Sequence, residues 1–63
     1  MKVRDIIKKL QDEGWHLARQ SGSHKIYKNP KMPDTRIVLP DQGSNKEPSV
    51  GVLNEIKKKA GWK

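Results

Sequence analysis

The chain has 63 residues, no cysteine and a formal net charge of +7, a combination that excludes several classes of protein. A domain of this size removes only about 60% of its unfolded surface from water, so we expect no deep substrate cavity. The absence of cysteine excludes a disulfide framework and thiolate zinc sites. The charge favours a polyanionic partner such as nucleic acid, although a surface that is basic only for solubility would give the same count.

Hydropathy along the chain gives no sign of a membrane segment. No apolar run approaches the roughly 20 residues that span a bilayer, and the N-terminus lacks the apolar stretch of a secretory signal. We therefore expect a cytoplasmic protein with no membrane partner, organised as a single domain over residues 1–63.

The first predicted element is a helix over residues 3–13. Its apolar side chains follow the i, i+3, i+4, i+7 spacing of one helical face: Val3, Ile6, Ile7 and Leu10. Gly14 is expected to end the helix in a left-handed conformation, which would pack Trp15 against the last turn.

Three strands are predicted next, because the apolar period falls from 3.6 to 2. We place them at residues 15–20, 24–28 and 36–39. Residues 21–23 would form a three-residue hairpin loop around Gly22, and the prolines within residues 29–35 predict a turn.

A second helix is predicted near the end of the chain, with Ser49 as its N-cap and Gly61 as its stop. Residues 41–48 contain only polar and turn-forming side chains, which predicts a surface loop. The order α-β-β-β-α indicates an α+β fold, in which two helices cover one face of a three-stranded antiparallel sheet. The other sheet face would stay open for binding. Alternation in the first strand puts Arg19 on the same face as Leu17.

His24 is the candidate for chemistry. Histidine exchanges protons near neutral pH, and the turn before it and the cations around it supply the neighbouring groups: Arg19, Gly22, Ser23, Lys25 and Lys28. Metal-free cleavage of RNA needs a base for the 2′-hydroxyl, cations for the phosphorane and an acid for the leaving 5′-oxygen. From residue types alone, an ordinary surface strand histidine is a more common explanation of His24 than a catalyst is.

Other chemistries have less support. The two histidines, His16 and His24, lie on different predicted strands without supporting carboxylates, so no metal site and no cofactor are expected. Ser23 and His24 are adjacent on a strand and would point to opposite faces, which disfavours a catalytic triad. Tyr27 is a candidate for stacking on a base from the open face. The lysines of residues 57–59 are typical of a solvated helix end.

The sequence resembles the HicA family of bacterial and archaeal toxins over nearly its whole length. The segments that carry the resemblance are "GW" at residues 14–15, "RQSGSHKIYKNP" at 19–30, "IVLP" at 37–40 and "GVLNEIKKKAG" at 51–61. The resemblance implies a fold similar to the double-stranded RNA-binding domain and the activity of a ribosome-independent mRNA interferase. It also implies that the histidine of the "GSH" core, His24, is catalytic.

The same resemblance implies the partners. A HicB-like antitoxin, made from the adjacent gene, would cover the active face, and operator DNA would be bound only through the toxin–antitoxin complex. Because the positive field suits a negative partner, we expect an acidic antitoxin. Single-stranded mRNA is the expected substrate, since the basic cluster of residues 57–59 lies at the end of its helix, whereas a duplex-binding domain carries its cluster at the helix start.

The chain departs from the family pattern at Asp41. Many members carry a second histidine after the proline that ends the third strand, so the identity of the acid is open, and Asp41 and Tyr27 are candidates for auxiliary roles. We expect Arg19, Lys25 and Lys28 to hold the phosphodiester, with backbone approach at Gly22 and Ser23. A non-catalytic RNA-binding module of the same fold is the alternative, followed by a DNA-binding or ribosome-associated basic protein.

Overall fold

The computed structural model describes residues 1–43 and 45–62. Its elements in chain order are α1 (Val3–Asp12), β1 (His16–Ser21), β2 (His24–Asn29), β3 (Met32–Pro40) and α2 (Val50–Ala60). The strands form one antiparallel sheet in the order β1-β2-β3, and the helices pack on one of its faces. The predicted α-β-β-β-α fold, similar to the double-stranded RNA-binding domain, is confirmed.

A small hydrophobic core lies between the helices and the covered face of the sheet. Its buried members are Val3, Ile6, Leu10, Trp15, Tyr27, Ile37, Leu39 and Ile56. Each such side chain contributes roughly 1.5–3 kcal/mol when fully buried. Tyr27 of β2 and Ile37 and Leu39 of β3 are the strand residues among them, so this core holds β2 and β3 against the helices, and β1 is held by its pairing with β2.

The end of α1 follows the prediction. Gly14 has a φ of 95°, its N–H donates to the Gln11 carbonyl at 3.1 Å, and the Trp15 N–H donates to the Leu10 carbonyl at 2.9 Å. This pair of bonds is a Schellman motif, which satisfies the last carbonyls of the helix. It turns the chain directly into β1 with Trp15 buried.

The ends of α2 were also predicted correctly. The Ser49 hydroxyl accepts a hydrogen bond from the Val52 N–H at 3.3 Å, which is an N-cap. Gly61 has a φ of 77° at the other end. Neither helix in the described ranges is long and apolar enough to cross a membrane.

The β1–β2 connection is shorter than predicted. Ser21 pairs with His24 across the hairpin, so the turn consists of Gly22 and Ser23 alone, not of three residues. Gly22 has a φ of 58° and no described non-glycine residue has a positive φ. A glycine in the left-handed region at the first turn position is typical of a type II′ turn, whose twist matches that of the strands. The tighter turn starts β2 at His24 itself.

The predicted turn over residues 29–35 is wrong, because β3 begins at Met32 and not at Arg36. Only Pro30 and Lys31 connect β2 to β3. The register shifts next to this turn, where Lys28 pairs with Arg36 but Asn29 pairs with Met32. Proline is tolerated at such an irregularity on an edge strand, since an N–H there has no partner to lose. The prolines within residues 29–35 are therefore compatible with a strand that begins at Met32.

A second irregularity lies in β1, which runs from His16 and not from Trp15. Leu17 pairs with Tyr27, whereas Arg19 pairs with Ile26, so Ala18 is an extra residue in the ladder. An extra residue of this kind shifts the alternation of faces by one. The prediction that Arg19 shares a face with Leu17 is therefore wrong, since Arg19 joins the face of Ile26.

Candidate nucleic-acid interface

The uncovered face of the sheet, called the open face below, carries most of the candidate residues. Cross-strand pairing arranges it in three rows: Ser21–His24–Pro40, Arg19–Ile26–Val38 and His16–Lys28–Arg36. Paired residues on antiparallel strands point to the same side. The burial pattern agrees, because Tyr27, Ile37 and Leu39, which alternate with these residues, are all buried.

His24 lies at one end of the open face. It is the first residue of β2, is exposed, and has Ser21 on one side and Pro40 on the other. Neither neighbour carries a charge, and both are short, so the imidazole is accessible from solvent. A side chain held on a paired strand but open to solvent can meet a ligand without any rearrangement of the backbone.

Arg19 is the cation that the fold brings towards His24. It is exposed and pairs with Ile26, which makes it the diagonal neighbour of His24 on the same face. Diagonal positions lie about 7–8 Å apart, within reach of a long side chain. The extra residue Ala18 is the cause, because a regular strand would have turned Arg19 towards the helices.

Lys28 and Arg36 form the opposite end of the open face. Both are exposed and they are direct cross-strand partners. Within residues 1–43 and 45–62 neither makes an ion pair. The sequence reasoning singled out Lys28 and missed Arg36. The missed signal was the alternation of Arg36 and Val38 with the apolar Ile37 and Leu39, which assigns Arg36 to the same face as Val38.

Lys25 does not join His24, because it lies near the start of the central strand β2 on the face that the helices cover, and it pairs with a carboxylate. Its Nζ is 2.6 Å from Asp41 Oδ2, and the two side chains are 24% and 16% exposed. The Asp41 N–H also donates to the Ser23 carbonyl at 2.6 Å. Asp41 is therefore bonded to both residues that flank His24 in the chain. The expectation that Lys25 contacts RNA stays a prediction.

The ionisation of this pair follows from its contacts. The hydrogen bond from Lys25, helped by one from the Gly43 N–H at 3.0 Å, holds the pKa of Asp41 below its ordinary value. The hydrogen bond to Asp41 raises the pKa of Lys25. Asp41 is thus a carboxylate at neutral pH, and a group that has already lost its proton cannot serve as the acid for a leaving oxygen.

The prediction that Tyr27 stacks on a base from the open face is wrong. It is 2% exposed and belongs to the hydrophobic core. Burial raises the pKa of its hydroxyl. Its ring fixes the position of β2 against the helices, so its contribution to a site at His24 is indirect.

The turn residues are placed as predicted, beside His24. Gly22 has open space around the position where a side chain would begin, and Ser23 is exposed, with its carbonyl directed at the Asp41 N–H. A ligand can therefore approach the backbone at Gly22 closely. Whether it does so stays a prediction.

A groove of about 290 Å³ lies elsewhere, between the loop that follows β3 and the first turns of both helices. Its lining residues are Val3, Pro40, Gln42, Lys46, Glu47, Pro48, Ser49 and Val52. None of them is a histidine. The open face, with its imidazole and cations, is the better candidate for phosphate chemistry.

No curated protein matches the chain. A family model described as "HicA toxin of bacterial toxin-antitoxin" matches residues 3–62, which is nearly the whole chain and includes every residue of the open face. The chain therefore belongs to the HicA family and is a toxin of a toxin–antitoxin system.

Proposed function

We propose that this toxin is a metal-independent endoribonuclease that cleaves mRNA, with His24 as the proton-transfer group. The observation that carries the proposal is the position of His24, exposed at the end of an open sheet face whose three paired rows also hold the cations Arg19, Lys28 and Arg36. Membership of the HicA family supports it. An accessible imidazole next to cations supplies the base and the charge stabilisation that such cleavage requires.

The proposed reaction is an internal transesterification. The neutral imidazole of His24 takes the proton of the ribose 2′-hydroxyl, and the 2′-oxygen forms a bond to phosphorus. The bond from phosphorus to the 5′-oxygen breaks, which leaves a 2′,3′-cyclic phosphate on one fragment. Arg19 neutralises the negative charge that builds on the phosphorane.

The leaving 5′-oxygen takes its proton from solvent in this scheme. Asp41 stands where a second histidine is common in the family, but its carboxylate is ionised and held by Lys25. It therefore contributes structure around His24, not a proton. The cleavage rate should therefore depend on one imidazole and not on a pair of acid–base groups.

Single-stranded RNA is the proposed substrate. The open face is an unobstructed three-stranded surface, on which an unpaired strand can expose its 2′-hydroxyl groups. The lysines of residues 57–59 lie at the end of α2, in the layer on the other side of the sheet. One of them, Lys59, already pairs with Glu55 at 3.5 Å. A duplex-binding role for this cluster has no geometric support.

The proposed antitoxin is HicB-like and acidic, and it would inhibit by covering the open face. An exposed imidazole can be blocked without any change in the toxin's fold. Operator DNA would be bound by the toxin–antitoxin complex. Co-purification with the product of the neighbouring gene tests this part, and its absence would count against an antitoxin from that gene.

Replacing His24 with alanine tests the catalytic assignment. The His24→Ala variant should fold normally, because the side chain is exposed, and should cleave mRNA at least about 100-fold more slowly. His16→Ala is the matched control. It removes the same exposed side chain from the same face, at the row farthest from His24, and cleavage should stay within about threefold of wild type.

Cleavage would be followed with purified protein in the presence of EDTA. Cleavage by His24→Ala at the wild-type rate would overturn the catalytic role of His24, and loss of wild-type activity in EDTA would overturn the metal-independent mechanism. If wild-type protein retards RNA in a gel but leaves it full length, the chain is a binding module of the same fold.

A further inference from the structure

The open face has two separate cationic groups. Arg19 lies beside His24, whereas Lys28 and Arg36 form a direct pair at the far end. Between the two ends lie Ile26 and Val38, the apolar members of the middle row, and Val38 is 37% exposed. The middle row therefore has Arg19 on β1 and apolar side chains on β2 and β3, whereas the far row has two adjacent cations.

His24 is too far from the Lys28–Arg36 pair for one ligand atom to contact both. Four strand residues from His24 to Lys28 span about 13 Å at ~3.3 Å per residue. Strand side chains stand roughly perpendicular to the sheet, and a hydrogen bond to phosphate is no longer than about 3.2 Å. With side chains in these directions, a phosphodiester bound at His24 lies out of reach of Lys28 and Arg36.

The chemistry of the far end suits a phosphate. Two cations that are direct cross-strand partners lie only about 5 Å apart at their Cβ atoms and repel each other unless an anion lies between them. Neither has an acidic partner among the residues that the structure describes. Asp34 lies two residues before Arg36 on β3 and makes no ion pair with either of them in that part of the chain.

We propose that Lys28 and Arg36 form a second phosphate-binding subsite, which holds a phosphodiester of the same single-stranded RNA away from the one that is cleaved. The inference rests on the proposed function. The nucleotide between the two phosphates lies over Ile26 and Val38, where its base and ribose contact apolar side chains. Lys28 and Arg36 are binding residues in this assignment and take no part in proton transfer.

The subsite predicts that substrate length matters. A dinucleotide has one phosphodiester and can occupy only the end of the face at His24, whereas an octanucleotide also reaches the far end. Arg36→Ala should therefore lower kcat/KM for the octanucleotide about 10-fold, through KM, and leave the dinucleotide unchanged. For Arg36→Ala and the octanucleotide, the slope of log(kcat/KM) against log salt concentration should be less steep than that of wild type by about 0.7. This is the value for one lost phosphate contact on a single strand.

The matched control is Lys8→Ala. Lys8 is an exposed cation on α1 without an ion pair in the described ranges, and its loss changes the net charge equally. It should alter cleavage of the octanucleotide by less than about twofold. Lys28→Ala gives a second variant, which should behave like Arg36→Ala.

Each result tests either the phosphate-binding subsite or the proposed nuclease activity. Equal loss on both substrates, or no loss on the octanucleotide, would overturn the subsite while the proposed nuclease stands. If wild type cleaves neither substrate, the nuclease proposal fails, and the subsite is then judged by anisotropy with an uncleavable 2′-O-methyl octanucleotide. Weaker binding by Arg36→Ala, but not by Lys8→Ala, supports the subsite there, and equal affinities overturn it.

Discussion

Asp41 has a structural role beside the candidate residue His24. Its N–H donates to the Ser23 carbonyl and its carboxylate accepts from Lys25, so the residues before and after His24 are both attached to it. Gly43 completes the arrangement by donating to the same carboxylate. We expect these bonds to hold the start of β2 against the end of β3, and thereby to fix the direction of the imidazole.

The pH dependence of stability tests this role through Asp41→Asn, which removes the charge but keeps an acceptor for Gly43. Asp41 has a lowered pKa, so its stabilisation is complete above the ordinary Asp value, about 3.9, and is lost as pH falls through the lowered pKa. Lys25 has a raised pKa, so its stabilisation is complete below about 10.4 and is lost as pH rises through the raised pKa.

Wild type should therefore be more stable than Asp41→Asn by about 1 kcal/mol at pH 7, and the difference should narrow towards pH 3. Urea denaturation at a series of pH values measures it. Asp34→Asn removes an exposed carboxylate that makes no ion pair among the described residues, so its difference from wild type should stay small. A gap that is constant from pH 7 to pH 3 would contradict the ionic role of Asp41.

At the scale of elements, Asn29 connects the end of α1 to the β2–β3 turn. It is only 6% exposed. Its Nδ2 donates to the Glu13 carbonyl at 3.1 Å, and its Oδ1 accepts from the Lys31 N–H at 3.0 Å. One side chain thus satisfies polar backbone groups from two elements that are distant in sequence, which holds β2 in place beneath the helix.

Asn29→Ala should lower the free energy of unfolding by about 2 kcal/mol, since it removes two hydrogen bonds and leaves both backbone partners without them. Urea denaturation measures the change. Asn54→Ala provides the control, because Asn54 is exposed on α2 and its loss should change stability by less than about 0.5 kcal/mol. Similar effects of the two substitutions would show that the buried contacts of Asn29 contribute little.

The elements could be predicted from sequence where local chemistry determines them. Gly14, Ser49 and Gly61 place helix ends because their conformations or caps are local properties. The start of β3 and the side of Arg19 could not be predicted, because both depend on pairing between strands. An extra residue such as Ala18 has no mark in a single sequence, yet it decides which face receives a cation.

The candidate site was also only partly predictable from the sequence. The position of His24 directly after a glycine turn was predictable from the "GSH" pattern, although the turn has two residues and not the three predicted. The pairing of Lys25 with Asp41 and the partnership of Lys28 with Arg36 required the register of β2 against β3. Contacts between residues far apart in sequence become visible only when the strands are aligned.

In the molecule as a whole, the hydrophobic core and the candidate interface lie on opposite faces of the sheet. The apolar side chains that hold the fold together lie between the helices and the covered face, whereas the other face carries Arg19, His24, Lys28 and Arg36. Substitutions on the open face should therefore change binding with little effect on folding. A net charge of +7 on 63 residues also produces a field that extends beyond any single contact.

This field leads to a prediction for association with an acidic antitoxin. The association rate should fall steeply with ionic strength, because long-range attraction is screened within about 8 Å at physiological salt. Arg36→Glu and Lys8→Glu change the net charge equally, but only Arg36 lies on the open face. If the antitoxin covers that face, Arg36→Glu should slow association about 10-fold, and Lys8→Glu by less than about threefold. Stopped-flow mixing at several salt concentrations measures both rates, and equal slowing by the two variants would place the antitoxin away from the open face.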